Sequence, residues 1–270
     1  TQKDTQQLKG MTPSVIIGLG GTGKRVVMQI RKKIVEEHKS LGNMPILAFL
    51  VLDTDEEIVQ LAGQESKVLL SSIELQPNEV IHATITGTQE LNANLHLYPH
   101  ISDWLDPFVL ATGDSSHGAR AIRALGRLSF FLNYPAISNA FEQARHRISV
   151  VDNRAFMEKR GIVVDPGLNV YIVGSLCGGT GSGMFLDIAF MVKHLLRNES
   201  VSERIGYLVL PGTFEGIGHH IKSNAYAALK ELNYYSRGNP FPFRAEINTK
   251  AELAPPPFTY CYLVSNRNEC

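Results

Sequence analysis

The sequence predicts an α/β domain with a doubly wound, mainly parallel sheet and helices on both faces. Three observations predict it. Short apolar runs rich in β-branched residues recur along the chain and break into glycine-rich or polar loops. Stretches with helical spacing of apolar residues follow those loops. The resulting strand–helix–strand order implies parallel neighbours, because a crossover helix has to carry the chain back along the sheet. The chain has 270 residues, enough for one large domain of this kind.

Residues 1–12 are polar and are expected to form a flexible N-terminal arm, with residues 13–270 as one domain. Residues 14–18 (SVIIG) read as a buried strand, residues 18–23 as a glycine loop, and residues 24–38 as a helix with Val26, Val27, Ile30 and Ile34 in its apolar stripe. Its basic residues, Lys24, Arg25, Arg31, Lys32 and Lys33, read mostly as a solvated face. Residues 45–52 (PILAFLVL) form a second buried strand that ends in Asp53, Thr54 and Asp55. The region around 63–112 mixes short apolar pieces with Pro77, Gly87, Pro99 and Pro107 and reads as an insertion, anchored on the core by Trp104 and Phe108. A polar loop over 112–118 precedes a long helix from about 119 to 147, with a break or kink at Pro135. Residues 169–174 are a strand, 175–183 a second glycine loop and 184–197 a helix. The remaining elements are a strand over 204–210, a helix over 221–235 and a last strand over 259–264.

Composition excludes several functions. Hydrophobic residues make up 44% and charged residues 19%, which is globular rather than disordered. Lys+Arg and Asp+Glu are 26 each, so no net field draws the chain to nucleic acid or to an acidic membrane. Its three cysteines have no ligand-like spacing and point to a reducing, cytoplasmic setting. No apolar run reaches the roughly 18 residues of a spanning helix, and the N-terminus lacks a signal-peptide stretch.

Residues 18–23 read G-L-G-G-T-G. Glycine lets backbone N–H groups approach a phosphate, and the helix that follows turns its positive end toward the same anion. Alone the motif is ambiguous. It fits the dinucleotide fingerprint, with Asp53 as the acid after the next strand. It also fits most of a P-loop, Gly18-x-x-x-x-Gly23-Lys24, except that Arg25 stands where Ser or Thr binds Mg²⁺. A tight turn with no ligand is the bland alternative. A second loop of the same grammar, Gly178-Gly179-Thr180-Gly181-Ser182-Gly183, lies about 160 residues further on, again between a strand and a helix. Two such loops can hold a triphosphate from two sides, whereas a dehydrogenase needs one. Gly181 is expected to need a positive φ.

The second loop resembles the G-G-G-T-G-[ST]-G signature of the tubulin/FtsZ superfamily, with Cys177 in place of the first glycine. Residues 16–23 resemble the first glycine loop of FtsZ. Leu52-Asp53-Thr54-Asp55 resembles its Val-Asn-Thr-Asp, with Asp53 for Asn. Gly118-Ala119-Arg120, with Gly126-Arg127, resembles the γ-phosphate loop. Thr213-Phe214-Glu215-Gly216 matches the Phe-Glu-Gly of the ribose loop, and Val264-Ser265-Asn266-Arg267 resembles the stretch whose Asn reads guanine. The six motifs follow family order over about 250 residues. The long middle segment and the helix over 225–232 look most like the large bacterial tubulin-like proteins.

The resemblance implies a GTP/GDP-binding domain with Mg²⁺ between the phosphates. Phosphate contacts fall on Gly20, Gly21, Thr22, Gly23, Gly118, Ala119, Arg120, Gly178, Gly179, Thr180, Gly181, Ser182 and Gly183. Asp53, Thr54 and Asp55 form the second loop of the site, Glu215 takes the ribose and Asn266 the base. It also implies self-assembly into homo-oligomers or filaments, with hydrolysis completed by a neighbouring subunit. His219 stands where the family carries Arg. Cys270 falls where the family's central helix begins, so further domains are expected after it. No catalytic residue is assigned, and no metal-ligand cluster is expected from His219 and His220. Arg123 reads as a surface arginine and Cys177 as a small buried filler. The rival readings are an NAD-dependent oxidoreductase, resting on residues 18–23 and Asp53, and a nucleotide-binding scaffold without hydrolysis.

Overall fold

A computed structural model describes residues 10–58, 67–68, 71–112, 118–199, 202–214, 219–245 and 251–266. Six strands make one sheet: β1 (Ser14–Leu19), β2 (Leu47–Asp53), β3 (Val80–His82), β4 (Leu168–Ser175), β5 (Ser202–Val209) and β6 (Tyr260–Val264). Their order is β3-β2-β1-β4-β5-β6, and every pairing is parallel. Four long helices flank it: α1 (Gly20–His38), α2 (Arg123–Ile148), α3 (Thr180–Leu195) and α4 (His219–Ser236).

The near-continuous apolar runs follow from burial on both faces. On β1, Val15, Ile17 and Leu19 enter the larger core with Phe130 and Phe141 of α2, Phe185 and Phe190 of α3 and Ala228 of α4. Ile16, between them, joins Val27 and Ile34 of α1 in the smaller core, with Phe49 and Val51 of β2. The doubly wound, parallel expectation is therefore met.

Several boundaries and environments differ from the sequence expectation. The region 63–112 is not only an insertion. Val80, Ile81 and His82 pair with Val51, Leu52 and Asp53 to complete the sheet edge as β3. The signal was present in V-I-H-A-T-I, where Ile81, Ala83 and Ile85 are buried and alternate with half-buried neighbours. That region also folds back over α1. Arg31, expected on the wet face, is buried there, with its guanidinium 2.9 Å from the Glu79 carboxylate and 5.0 Å from the Phe49 ring centroid. Gly10 and Met11, placed in the arm, pair with Val163 and Val164, while residues 1–9 lie outside the described residues. Trp104 packs against Phe131 and lies 4.5 Å from the Arg127 guanidinium, whereas Phe108, expected as a second anchor, is 69% exposed.

α2 starts at Arg123, not near 119, because Gly118 (φ 77°) and Arg120 (φ 46°) turn the chain sharply first. It runs through Pro135 without ending there. α1 and α3 begin four residues earlier than expected, at Gly20 and Thr180, so the glycine loops supply the first turns of both helices.

Candidate functional site

Strand order reverses between β1 and β4, and in open α/β sheets the crevice beyond the C-terminal ends of such a pair is where ligands bind. Both glycine loops sit at this point, one after β1 and one after β4. A cleft of about 610 Å³ opens there, within the rough range of 300–1,000 Å³ for small-molecule sites. Gly20, Gly21 and Thr22 of α1 line it, as do Gly178, Gly179, Thr180 and Gly181 at the start of α3.

A helix leaves its first backbone N–H groups without internal partners, and a side chain normally caps some of them. Neither helix has one. Leu19 and Gly179 are the N-cap residues, neither makes a side-chain cap hydrogen bond, and neither first turn contains an acid. Two uncapped, positive helix ends thus meet at one cleft.

The loop after β2 forms another wall through Asp53, Thr54 and Asp55, joined by Glu57 and Ile58. It is tied to its neighbours by hydroxyls. The Thr180 hydroxyl donates to Asp53 Oδ1 at 3.3 Å, and Thr54 Oγ1 lies 2.7 Å from Thr180 Oγ1. Thr54 Oγ1 also accepts the Ala119 N–H at 2.9 Å. With Asp53 ionised and accepting from Thr180, Thr54 donates to Thr180. This order satisfies every member of the chain. Two threonines therefore join the loop after β2, the turn before α2 and the head of α3.

Burial pushes the Asp53 carboxyl above its ordinary range. Hydrogen bonds from the Thr54 and Asp55 N–H groups and from Thr180 oppose the shift, and the Asp55 charge adds to it. Burial likewise raises the Cys177 thiol, partly offset by Ser175, so Cys177 is a buried filler and not a reactive thiolate.

The structure separates the sequence-predicted residues into two groups. Gly20, Gly21, Thr22, Asp53, Thr54, Asp55, Arg120, Gly178, Gly179, Thr180 and Gly181 face one cleft. Gly23, Gly118, Ala119, Ser182 and Gly183 lie behind its wall and pack the elements that shape it. A Cβ on Gly23 would stand 2.5 Å from the Gly18 carbonyl carbon and 2.5 Å from the Val173 oxygen. One on Gly183 would stand 2.4 Å from the Arg123 oxygen, and one on Gly118, 2.6 Å from the Thr54 oxygen. Ser182 is fully buried and its hydroxyl accepts from Arg123 Nε at 2.8 Å. Arg123 also reaches Glu231 of α4, with 3.0 Å between Nη1 and Oε1, so it is a cross-brace and not the expected surface arginine. Gly181 has an ordinary helical backbone, not the expected positive φ.

Asn266 is not brought to the cleft wall. It lies two residues past β6, is exposed, and stands two strands away from β4, roughly 10 Å at the usual strand spacing. Glu215 lies outside the described residues. The sequence reading missed Lys24, Arg25, Glu57, Ile58, Phe214, His220 and Ile221, all of which line the cleft. For Lys24 and Arg25 a signal existed: they stand three and four residues after Gly21 and share its helix face. Among the described residues no cluster of three or more His, Cys, Asp or Glu has metal-holding geometry, and no helix is long and apolar enough to cross a membrane.

Fold and cleft together define a doubly wound α/β protein with a cleft walled by two glycine loops at its topological switch point. The model of the family described as "Tubulin like" matches residues 15–270, and the chain belongs to that family. Among solved structures it is similar to CetZ from Methanosaeta thermophila, with 17% identity, 83% of this chain and 43% of that one covered, and a TM-score of 0.48. CetZ1 from Haloferax volcanii, a GDP-bound monomer, shows 18% identity, 80% and 46% coverage and a TM-score of 0.46. FtsZ of M. jannaschii shows 15% identity, 85% and 43% coverage and a TM-score of 0.43. The chain spans less than half the length of each of these proteins. No curated protein matches the sequence.

Proposed function

We propose that the cleft binds a guanine nucleotide as its Mg²⁺ complex, and that this binding is linked to self-assembly of the chain. The observation that carries the reading is the pair of uncapped helix N-termini, α1 and α3, opening on one cleft. Backbone N–H groups and helix dipoles suit the bridging and terminal oxygens of a polyphosphate. Membership of the tubulin-like family selects guanine among nucleotides. Gly21 and Gly178 have open space where a Cβ would stand, which leaves room for phosphate oxygens against the backbone. Mg²⁺ would take most of its ligands from phosphate and water, with Asp55 and Glu57 on the cleft wall as nearby carboxylates. Hydrolysis on this reading is completed between subunits, by residues of the neighbouring one.

A dinucleotide reading shares the strand order and the acid after β2. It is disfavoured because Asp53 is 8% exposed and its Oδ1 already accepts from the Thr54 N–H at 2.8 Å and from Thr180. That oxygen is thus already taken by donors of the chain itself. The test is calorimetry with GTP, GDP, ATP and NAD⁺ in Mg²⁺ buffer, paired with sedimentation at each nucleotide. GTP and GDP should bind more tightly than ATP or NAD⁺, and GTP should promote larger species. Heat from NAD⁺ with none from GTP would sink the proposal.

A further inference from the structure

We propose that Lys24 and Arg25 form a cationic clasp over the nucleotide's outer phosphates, so that affinity climbs with phosphate number within a single chain. This rests on the guanine-nucleotide reading above. Both residues line the cleft. Among the described residues neither has a hydrogen-bond or ion-pair partner. Arg31, one to two turns further along the same helix, contrasts with them, because its charge is spent on Glu79.

Helix geometry directs the two side chains. Gly21, Lys24 and Arg25 are related by three and four residues and so lie on one face of α1. Helical side chains slant toward the N-terminus, and each covers surface about one turn before its own Cα. Lys24 and Arg25 therefore lean back over Gly21, where nothing lies within 4 Å of an ideal Cβ position. They line the same cleft that α1's uncapped N–H groups face. Lys24 is half-buried and Arg25 exposed, which lets the long side chains close on an anion while their stems stay on the helix. The cleft also carries Asp55 and Glu57. Among the described residues Lys24 and Arg25 form no ion pair with Asp55 or Glu57, an arrangement suited to a ligand that brings phosphate and a divalent cation together. The spacing Gly18-x-x-x-x-Gly23-Lys24 had suggested a P-loop lysine, but α1 begins at Gly20, so Lys24 acts from the helix's fifth residue and not from a loop end.

The experiment is isothermal titration of the chain and its variants with GTP, GDP and GMP in Mg²⁺ buffer at two salt concentrations. Melting curves check the fold. Lys24→Ala/Arg25→Ala should lose about tenfold or more in GTP affinity, as expected for charge-assisted phosphate contacts, with a smaller loss for GDP and the least for GMP. Its salt dependence should also be shallower than that of the parent chain. Lys24→Arg/Arg25→Lys should restore most of the GTP affinity, and Lys33→Ala, on the exposed face, should match the parent. Undiminished GTP binding by the double alanine variant overturns the clasp alone. So does an equal loss for GTP and GMP, which would place the two residues away from the outer phosphates. A parent chain that binds none of the three nucleotides overturns the guanine reading and the clasp with it.

Discussion

The two glycine loops share one grammar, a strand, a glycine run and a helix, yet they solve different packing problems. α1 is amphipathic. It buries Gly23, Val27, Arg31, Ile34 and Val35 and leaves its other flank wet. α3 is buried along nearly its whole length, from Thr180 through Val192. The first loop therefore has room for charged side chains at the cleft, and the second offers hydroxyls and bare backbone. Within each loop the glycines divide again. Gly21 and Gly178 face open space, whereas Gly23, Gly179 and Gly183 sit where backbone meets backbone. A glycine motif thus mixes two demands, ligand approach and close packing of helices, and only the first concerns binding.

Substitutions that fill the packing glycines should have the largest effect. In Gly183→Ala the new methyl would lie 2.4 Å from the Arg123 oxygen and 2.7 Å from the Arg127 nitrogen, both backbone atoms that cannot swing aside. Gly23→Ala meets the same obstacle at the Gly18 carbonyl. Each should cost about 3–4 kcal/mol or abolish folding, as read by thermal or urea unfolding. If either variant melts like the parent chain, the division between packing and cleft glycines is wrong.

Next comes the hydroxyl chain that belongs to the second loop alone. Thr180→Val keeps the shape but removes the donor to Asp53 and the acceptor for Thr54. Leaving these buried groups unpaired should lower stability by about 1–3 kcal/mol. Thr22→Val, at the matching cleft wall of the first loop, should cost far less, because none of these cross-links involves Thr22. Equal losses would erase the contrast between the loops.

Asp53 gives a pH signature of the same cross-link. Its folded carboxyl holds a proton more tightly than the unfolded one, because burial disfavours the charge. Between the ordinary carboxylate pKa and the raised folded value, the folded state binds more protons. The Asp53 contribution to stability therefore falls as pH climbs through that window, and it is most favourable below it. Asp53→Asn keeps an oxygen to accept from Thr54 and removes the charge. It should flatten this slope and equal or exceed the parent's stability at neutral pH. An unchanged slope in unfolding experiments from pH 4 to 7 would show that Asp53 titrates normally.

The smallest effect on the fold belongs to the open glycines. Gly21→Ala and Gly178→Ala place methyl groups where no heavy atom lies within 4 Å. Stability should move by no more than about 1 kcal/mol, with Gly21→Ala on the favourable side because alanine suits a helix. Nucleotide affinity should nevertheless drop in both, since the methyl takes phosphate space. Titration that shows unchanged affinity would mean the ligand approaches neither loop.

The sequence by itself determined the strand–loop–helix units, their parallel order and the positions of both glycine loops. These are readable because burial on both sheet faces demands continuous apolar runs and because glycine stands out wherever backbone must approach backbone or ligand. The family also followed from local motifs such as residues 178–183. Tertiary structure alone decided that Val80–His82 is a sheet strand, that Arg31 is buried against Glu79, and that Arg123 braces Ser182 to Glu231. It alone moved Ser182 and Gly183 behind the cleft wall, kept Asn266 off it, and brought Lys24 and Arg25 onto it. The physical reason is that chain order constrains a residue's immediate neighbours, whereas its partners 40 to 130 residues away depend on which elements the sheet brings side by side. Thr54 and Thr180 are 126 residues apart in sequence and 2.7 Å apart in space.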